Sequence, residues 1–151
     1  MKRIFVTLLL TCCCMVLVVA QNTKKNTKKE IKPEWDQAAR QTTEQLTQKY
    51  SLNADQAKQV YTIQVRKQRN LSEIAALKTE NQAQYQQKLQ AVQHGTLASM
   101  RKTLKTKEQV TLFEQTKRDI RNKRAIKRKE MMSAKADKNL IEVATLDIFE
   151  E

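Results

Sequence analysis

The side chains of this 151-residue chain that could do chemistry are mostly cations: 29 lysines and arginines stand against 16 acids, for a formal charge of +13. Their densest run is Lys117, Arg118, Arg121, Lys123, Arg124, Lys127, Arg128 and Lys129, opposed only by Asp119. On a helix these bases cover more than one face. Packed so closely they repel one another, which favours a partner of opposite charge. The candidates are acidic client proteins, anionic lipid headgroups and nucleic acid. Catalysis finds no comparable constellation. His94 is the sole histidine, so it has no companion for a metal site or a triad; beside Gly95 it reads as an exposed residue of a helical turn. The carboxylates are scattered among lysines without a convergent pair, and one glycine in the whole chain leaves no glycine-rich loop to cradle a phosphate. The expectation is a non-enzyme with no catalytic residue, no metal site and no cofactor.

The elements that carry the cationic run are helices. A single proline and a single glycine exclude a turn-rich β or α/β fold. Pro33 suits the first turn of a helix, with Glu34 and Asp36 where the helix dipole favours negative charge. Trp35, Ala39, Thr42, Leu46 and Tyr50 then mark one face at spacings of three and four. A second start follows, with Asn53 as N-cap, Gln56 as its reciprocal partner and Leu52 placed to staple against Ala57. Its stripe runs through Val60, Ile63, Lys67, Leu71, Ile74, Leu77, Asn81, Tyr85, Leu89 and Val92, with Lys67 and Asn81 as polar interruptions. Unbroken to His94 this helix would be about 60 Å long, so a bend or break is expected between residues 79 and 83. Gly95 marks a loosened turn, after which Leu97, Met100 and Leu104 resume the helix. A third start has Thr106 as N-cap and Gln109 as partner, and its stripe of Val110, Phe113, Lys117, Ile120 and Arg124 runs to about Met132.

Both ends differ in composition from this helical body. Lys2 and Arg3 precede an uncharged, apolar run over residues 4–20 that ends in Val18-Val19-Ala20. It reads as a secretory signal cleaved after Ala20, placing the product outside the cytoplasm; it is short for a retained membrane anchor. Cys12, Cys13 and Cys14 lie inside it, so the processed chain has no thiol, and Thr11-Cys12 is a poor lipidation site. The expected layout is a signal over 1–20, a basic flexible linker over 21–33, a helical domain over 34–132 and an acidic, apolar tail over 133–151. The last stretch, NLIEVATLDIFEE, contains no basic residue. It is either a short helix docking on a partner face or a disordered tail, and its apolar residues favour contact with something. Composed like an acidic client, it would compete with clients if it folded back onto the basic helix.

The two capped starts, Leu52-Asn53-Ala54-Asp55-Gln56 and Leu104-Lys105-Thr106-Lys107-Glu108-Gln109, resemble the paired LTxxQ motifs of the Spy/CpxP-type periplasmic proteins. Asn53 stands where that pattern has threonine, and Lys105 occupies the leucine position, with Leu104 one residue early. The resemblance covers roughly residues 35–132. It implies an all-α fold of elongated helical hairpins, about four helices per protomer, pairing into a thin antiparallel homodimer. It also implies ATP-independent binding of unfolded envelope proteins, or damping of an envelope stress sensor; some relatives bind zinc, for which His94 alone is a poor basis. Asn53, Gln56, Thr106 and Gln109 would be structural caps. The few aromatic residues, too few to fill a wide core, agree with thin helical layers completed by a second copy. Nucleic acid is the wrong partner: no aromatic residue interleaves the basic run and a secreted chain never meets the chromosome. The expected partners are therefore unfolded or acidic envelope proteins and a second copy. The alternative is an envelope structural or adaptor protein bound to an anionic membrane surface or a partner helix.

Overall fold

The computed structural model describes residues 31–149. The expected signal, its cleavage point and most of the expected linker fall outside the described residues. Among those described there is no strand, and the chain forms six helices: α1 (Pro33–Tyr50), α2 (Ala54–Ile74), α3 (Leu77–Glu80), α4 (Gln82–Thr103), α5 (Lys107–Ser133) and α6 (Lys138–Leu146). Four of these are long. Short α3 and α6 come in addition to the four implied by the resemblance, and local chemistry at Asn81 and Asp137 accounts for both.

Pro33 opens α1, with Glu34 and Asp36 in its first turn. Its end is closed by left-handed Ser51 (φ 49°), with Ser51 N–H donating to Gln48 O and Leu52 N–H to Thr47 O, a Schellman motif. Asn53 caps α2 in a reciprocal box with Gln56. The expected break is centred on Asn81 (φ −152°, ψ 86°), whose side chain accepts from Gln84 N–H and so caps α4. Asn81 is thus an exposed helix cap and not part of an inward stripe; α2 has already ended at Ile74, with a turn and α3 between. No loosened turn occurs at Gly95, which lies inside continuous α4 and has nothing within 4 Å of where a Cβ would stand. Thr106 and Gln109 cap α5. A second Schellman turn around left-handed Lys135 (φ 54°) ends α5, and Asp137 caps α6 by accepting from Asn139 and Leu140 N–H. Of the two readings of the terminal segment, the structure has the short helix, docked on its own chain.

Helix α1 packs on α2, α2 on α4, and α6 on both α4 and α5. The packing is divided between two apolar clusters. One gathers Leu46, Tyr50, Leu52, Val60, Ile63, Met100, Leu104 and Phe113. The other gathers Ile74, Tyr85, Leu89, Val143 and Leu146. Buried polar residues, Gln64 on α2 and Gln93 and Thr96 on α4, occupy the levels of those helices between the clusters.

At the far end of the first cluster the two capping glutamines meet. Gln56 Nε2 donates to Gln109 Oε1 at 2.9 Å, and Gln109 Nε2 returns a bond to Gln56 Oε1 at 3.1 Å. Gln56 Nε2 also reaches Thr103 O at 2.9 Å, and Gln109 Nε2 reaches Ser51 O at 3.5 Å. Each amide oxygen meanwhile accepts from the N–H of its own cap residue, Asn53 or Thr106. The two helix starts are therefore locked to each other face to face, which fixes where α5 departs from the body.

Candidate functional site

Helix α5 buries Gln109, Phe113, Thr116 and Ile120, after which no residue of it is buried. Its second half projects beyond the first cluster, and α6 is the element packed along it. This divides the basic run. Lys117, Arg121, Arg124 and Arg128, spaced four, three and four, share one helix face. That face turns toward α4 and α6: Lys117, Arg121 and Arg124 line the cleft described next, and Arg128 meets Glu142 of α6. Arg118, Lys123, Lys127 and Lys129 lie on the remaining surface, all exposed, with Lys127 at 3.9 Å from Glu130.

Between α4 and α5 lies a cleft of about 430 Å³. Leu97, Ile120, Leu146 and Phe149 supply its apolar lining, and Lys117, Arg121, Arg124 and exposed His94 its cationic and polar rim. Lys117 is held by Glu114 at 3.0 Å, with its ammonium 5.7 Å from the Phe113 ring. Arg121 is solvent-exposed. A second cleft, about 360 Å³, runs between α2 and α4 along Lys67, Leu71, Lys78, Tyr85 and Leu89. Gln93 of α4, Leu146 and Phe149 line both clefts, so α4 and the segment over residues 146–149 together lie between them. On the second side Lys67 sets its ammonium 4.8 Å over the Phe149 ring, a cation–π contact.

That segment and α6 are held by polar groups of α4 and α5. Arg124 donates from Nε to Ile148 O at 2.9 Å and from Nη2 to Gln93 Oε1 at 2.8 Å. Gln93 Nε2 donates to Leu146 O at 2.6 Å. These donors satisfy carbonyls that the end of α6 leaves without helical partners. Burial pushes the Arg124 guanidinium below its usual value. Arg128 forms a two-point pair with Glu142, which holds the Glu142 carboxyl below the usual glutamate range and raises Arg128.

Of the anchoring residues, Leu146 and Phe149 belong to the apolar terminal stretch expected to make contact, whereas Gln93 is unmarked in the sequence. Gln93 falls on the buried face of α4 with Leu89, Thr96 and Met100, and that register is the one signal pointing to it. The capping residues Asn53, Gln56, Thr106 and Gln109 belong to the glutamine lock described above. Among the described residues no three His, Cys, Asp or Glu side chains converge as metal ligands, and no helix is long and apolar enough to cross a membrane.

Fold and site together define an all-helical protein with a mixed apolar and cationic cleft. Comparisons with protein-family models, curated proteins and solved structures found no match, so the functional reading rests on the chemistry of the cleft.

Proposed function

We propose that the protein is a periplasmic, ATP-independent holdase or envelope-stress adaptor of the Spy/CpxP kind. It binds unfolded or acidic segments of envelope proteins, with two protomers pairing as a thin antiparallel dimer of helical hairpins. The observation that carries the reading is the α4–α5 cleft, where Leu97, Ile120, Leu146 and Phe149 lie beneath Lys117, Arg121 and Arg124. Apolar contact gives affinity without directional demands, while the cations draw acidic chains from a distance without selecting one sequence. An unfolded client offers both kinds of group.

The test is suppression of aggregation of an unfolding acidic client by the full processed chain. Suppression is expected near stoichiometric ratios and should weaken between low and high salt, because exposed charges are screened. Lys117→Glu with Arg121→Glu should weaken it several-fold. Absence of suppression at every salt concentration would overturn the reading. Exposed Ile126 and Met132, at 59% and 62%, lie on α5 among Lys123, Lys127 and Lys129, and favour the alternative of an adaptor on an anionic membrane. Co-sedimentation with anionic vesicles, without client protection, would establish that alternative.

A further inference from the structure

We propose that the surface beneath α6 is a docking site for an acidic amphipathic helix of another protein, with α6 its resident occupant. The inference rests on the client-binding reading above and names the chemistry of the partner.

The contacts that hold α6 are ones many helices could satisfy. Gln93 and Arg124 grip main-chain carbonyls, those of Leu146 and Ile148, which any helix end presents. One carboxylate, Glu142, meets Arg128. Val143 and Leu146 insert into the cluster of Ile74, Tyr85 and Leu89. A helical segment with an acid, two apolar residues on the same side and a free C-terminal turn would reproduce the set. Charge favours such a partner: Lys67, Lys78, Arg124 and Arg128 line or contact the seat and its adjoining cleft, whereas residues 139–151 contain no base.

The occupant is also built to leave. Helix α6 has nine residues, too few to be stable in water alone, and Leu140 on it remains 53% exposed. It is joined to α5 through Lys135, a non-glycine residue in the left-handed region, where an L side chain is disfavoured. Because Leu146 and Phe149 line both clefts, departure of the segment opens both at once, on either side of α4, from Lys67 and Leu71 on α2 to Ile120 and Arg121 on α5. The surface so released keeps Leu71, Tyr85, Leu89, Leu97 and Ile120 as apolar floor and Lys67, Lys117 and Arg121 as cationic rim.

The probe is a fluorescein-labelled peptide of residues 137–149, titrated into the full chain at low salt. The wild-type chain should bind it weakly, because its own α6 competes at the millimolar effective concentration of a tethered segment. Glu142→Lys in the chain should tighten peptide binding about fivefold, since it turns the Arg128 contact from attraction to repulsion. Arg128→Glu in the chain should reverse preference, favouring a peptide that carries Glu142→Arg over the native one. Asp137→Ala, which removes only the exposed cap of α6, should give a gain of about fivefold and serves if Glu142→Lys lowers helicity. No gain in either Glu142→Lys or Asp137→Ala, or equal binding of a scrambled peptide, overturns the proposal. Peptide binding as expected with no protection of clients would leave the docking site standing and remove the holdase reading; protection of clients with no peptide response would do the reverse.

Discussion

Gln56 and Gln109 each do two things with one side chain: the oxygen closes a capping box and the amide nitrogen crosses to the other motif. A cap alone is worth about 1 kcal/mol. Here truncating one glutamine also strips the other of its partner in a site where both are buried, at 6% and 7% exposure, and an unsatisfied buried amide costs about 1–3 kcal/mol more. Gln56→Ala or Gln109→Ala should therefore destabilise the chain by about 2–4 kcal/mol each. The double variant should cost clearly less than the sum, because the second truncation removes an already orphaned group. Urea denaturation of the three variants measures this. Asn53→Ala, at an exposed cap, should cost only about 1 kcal/mol; strict additivity of the two glutamines would contradict the reciprocal lock.

The attachment of α6 includes an ion pair across helices. Arg128 holds the Glu142 carboxyl below its ordinary value, with Lys138 adding to the effect. Protonation is thus resisted in the docked state, and the unfolded chain takes up the proton first as pH falls. The pair's contribution is complete above the ordinary glutamate range of about 4.3 and fades as pH falls through the lowered value. The groups are partly exposed, so this amounts to no more than about 1 kcal/mol. Amide NMR shifts of α6 should accordingly move toward an undocked position in acid while those of α2 stay fixed, and Arg128→Gln should remove the dependence on the ion pair. A docked α6 insensitive to both changes would contradict this account.

The same element shows where sequence reading succeeds and where it stops. The boxes at Asn53–Gln56 and Thr106–Gln109 were legible because capping is local, written within four residues. The break at Asn81 was legible in place though not in role, since an asparagine inside a stripe can be either a flaw in the face or the cap of a new helix. That the terminal segment makes contact was legible in its apolar residues, and its return to the basic helix in its charge, but the groups that hold it were not: Gln93 and Arg124 recognise the carbonyls of Leu146 and Ile148, and a carbonyl has no letter in a sequence. Lys117 and Arg124 were legible as members of the stripe of Phe113 and Ile120, whereas nothing in the sequence showed that Arg121 and Arg128 share their side until α6 supplied the partner.

Across the whole molecule, the two clusters are unequal. The first draws on α1, α2, α4 and α5 and contains fully or nearly fully covered Val60, Met100 and Phe113. The second draws on α2, α4 and the nine-residue α6, and Ile74, Tyr85, Leu89, Val143 and Leu146 each keep 5–8% of their surface exposed. Buried Gln64, Gln93 and Thr96 lie at the levels between them, so apolar packing does not run unbroken from one to the other. Cooperativity follows shared buried surface, and elements with little of it open at lower free energy than the whole. Native-state hydrogen exchange should therefore show α6 and α3 opening first, together with the end of α2 at Ile74 and the start of α4 at Tyr85. The α1–α2 pairing around Tyr50 and Val60 should open only with global unfolding. Leu146→Ala should lower the first opening energy by about 2–3 kcal/mol and leave the second nearly unchanged. A single exchange energy throughout, lowered equally by Leu146→Ala at both ends, would mean the clusters act as one; the end bearing the two clefts could then open only by unfolding the glutamine lock with it, and α6 could not be exchanged for a partner's helix.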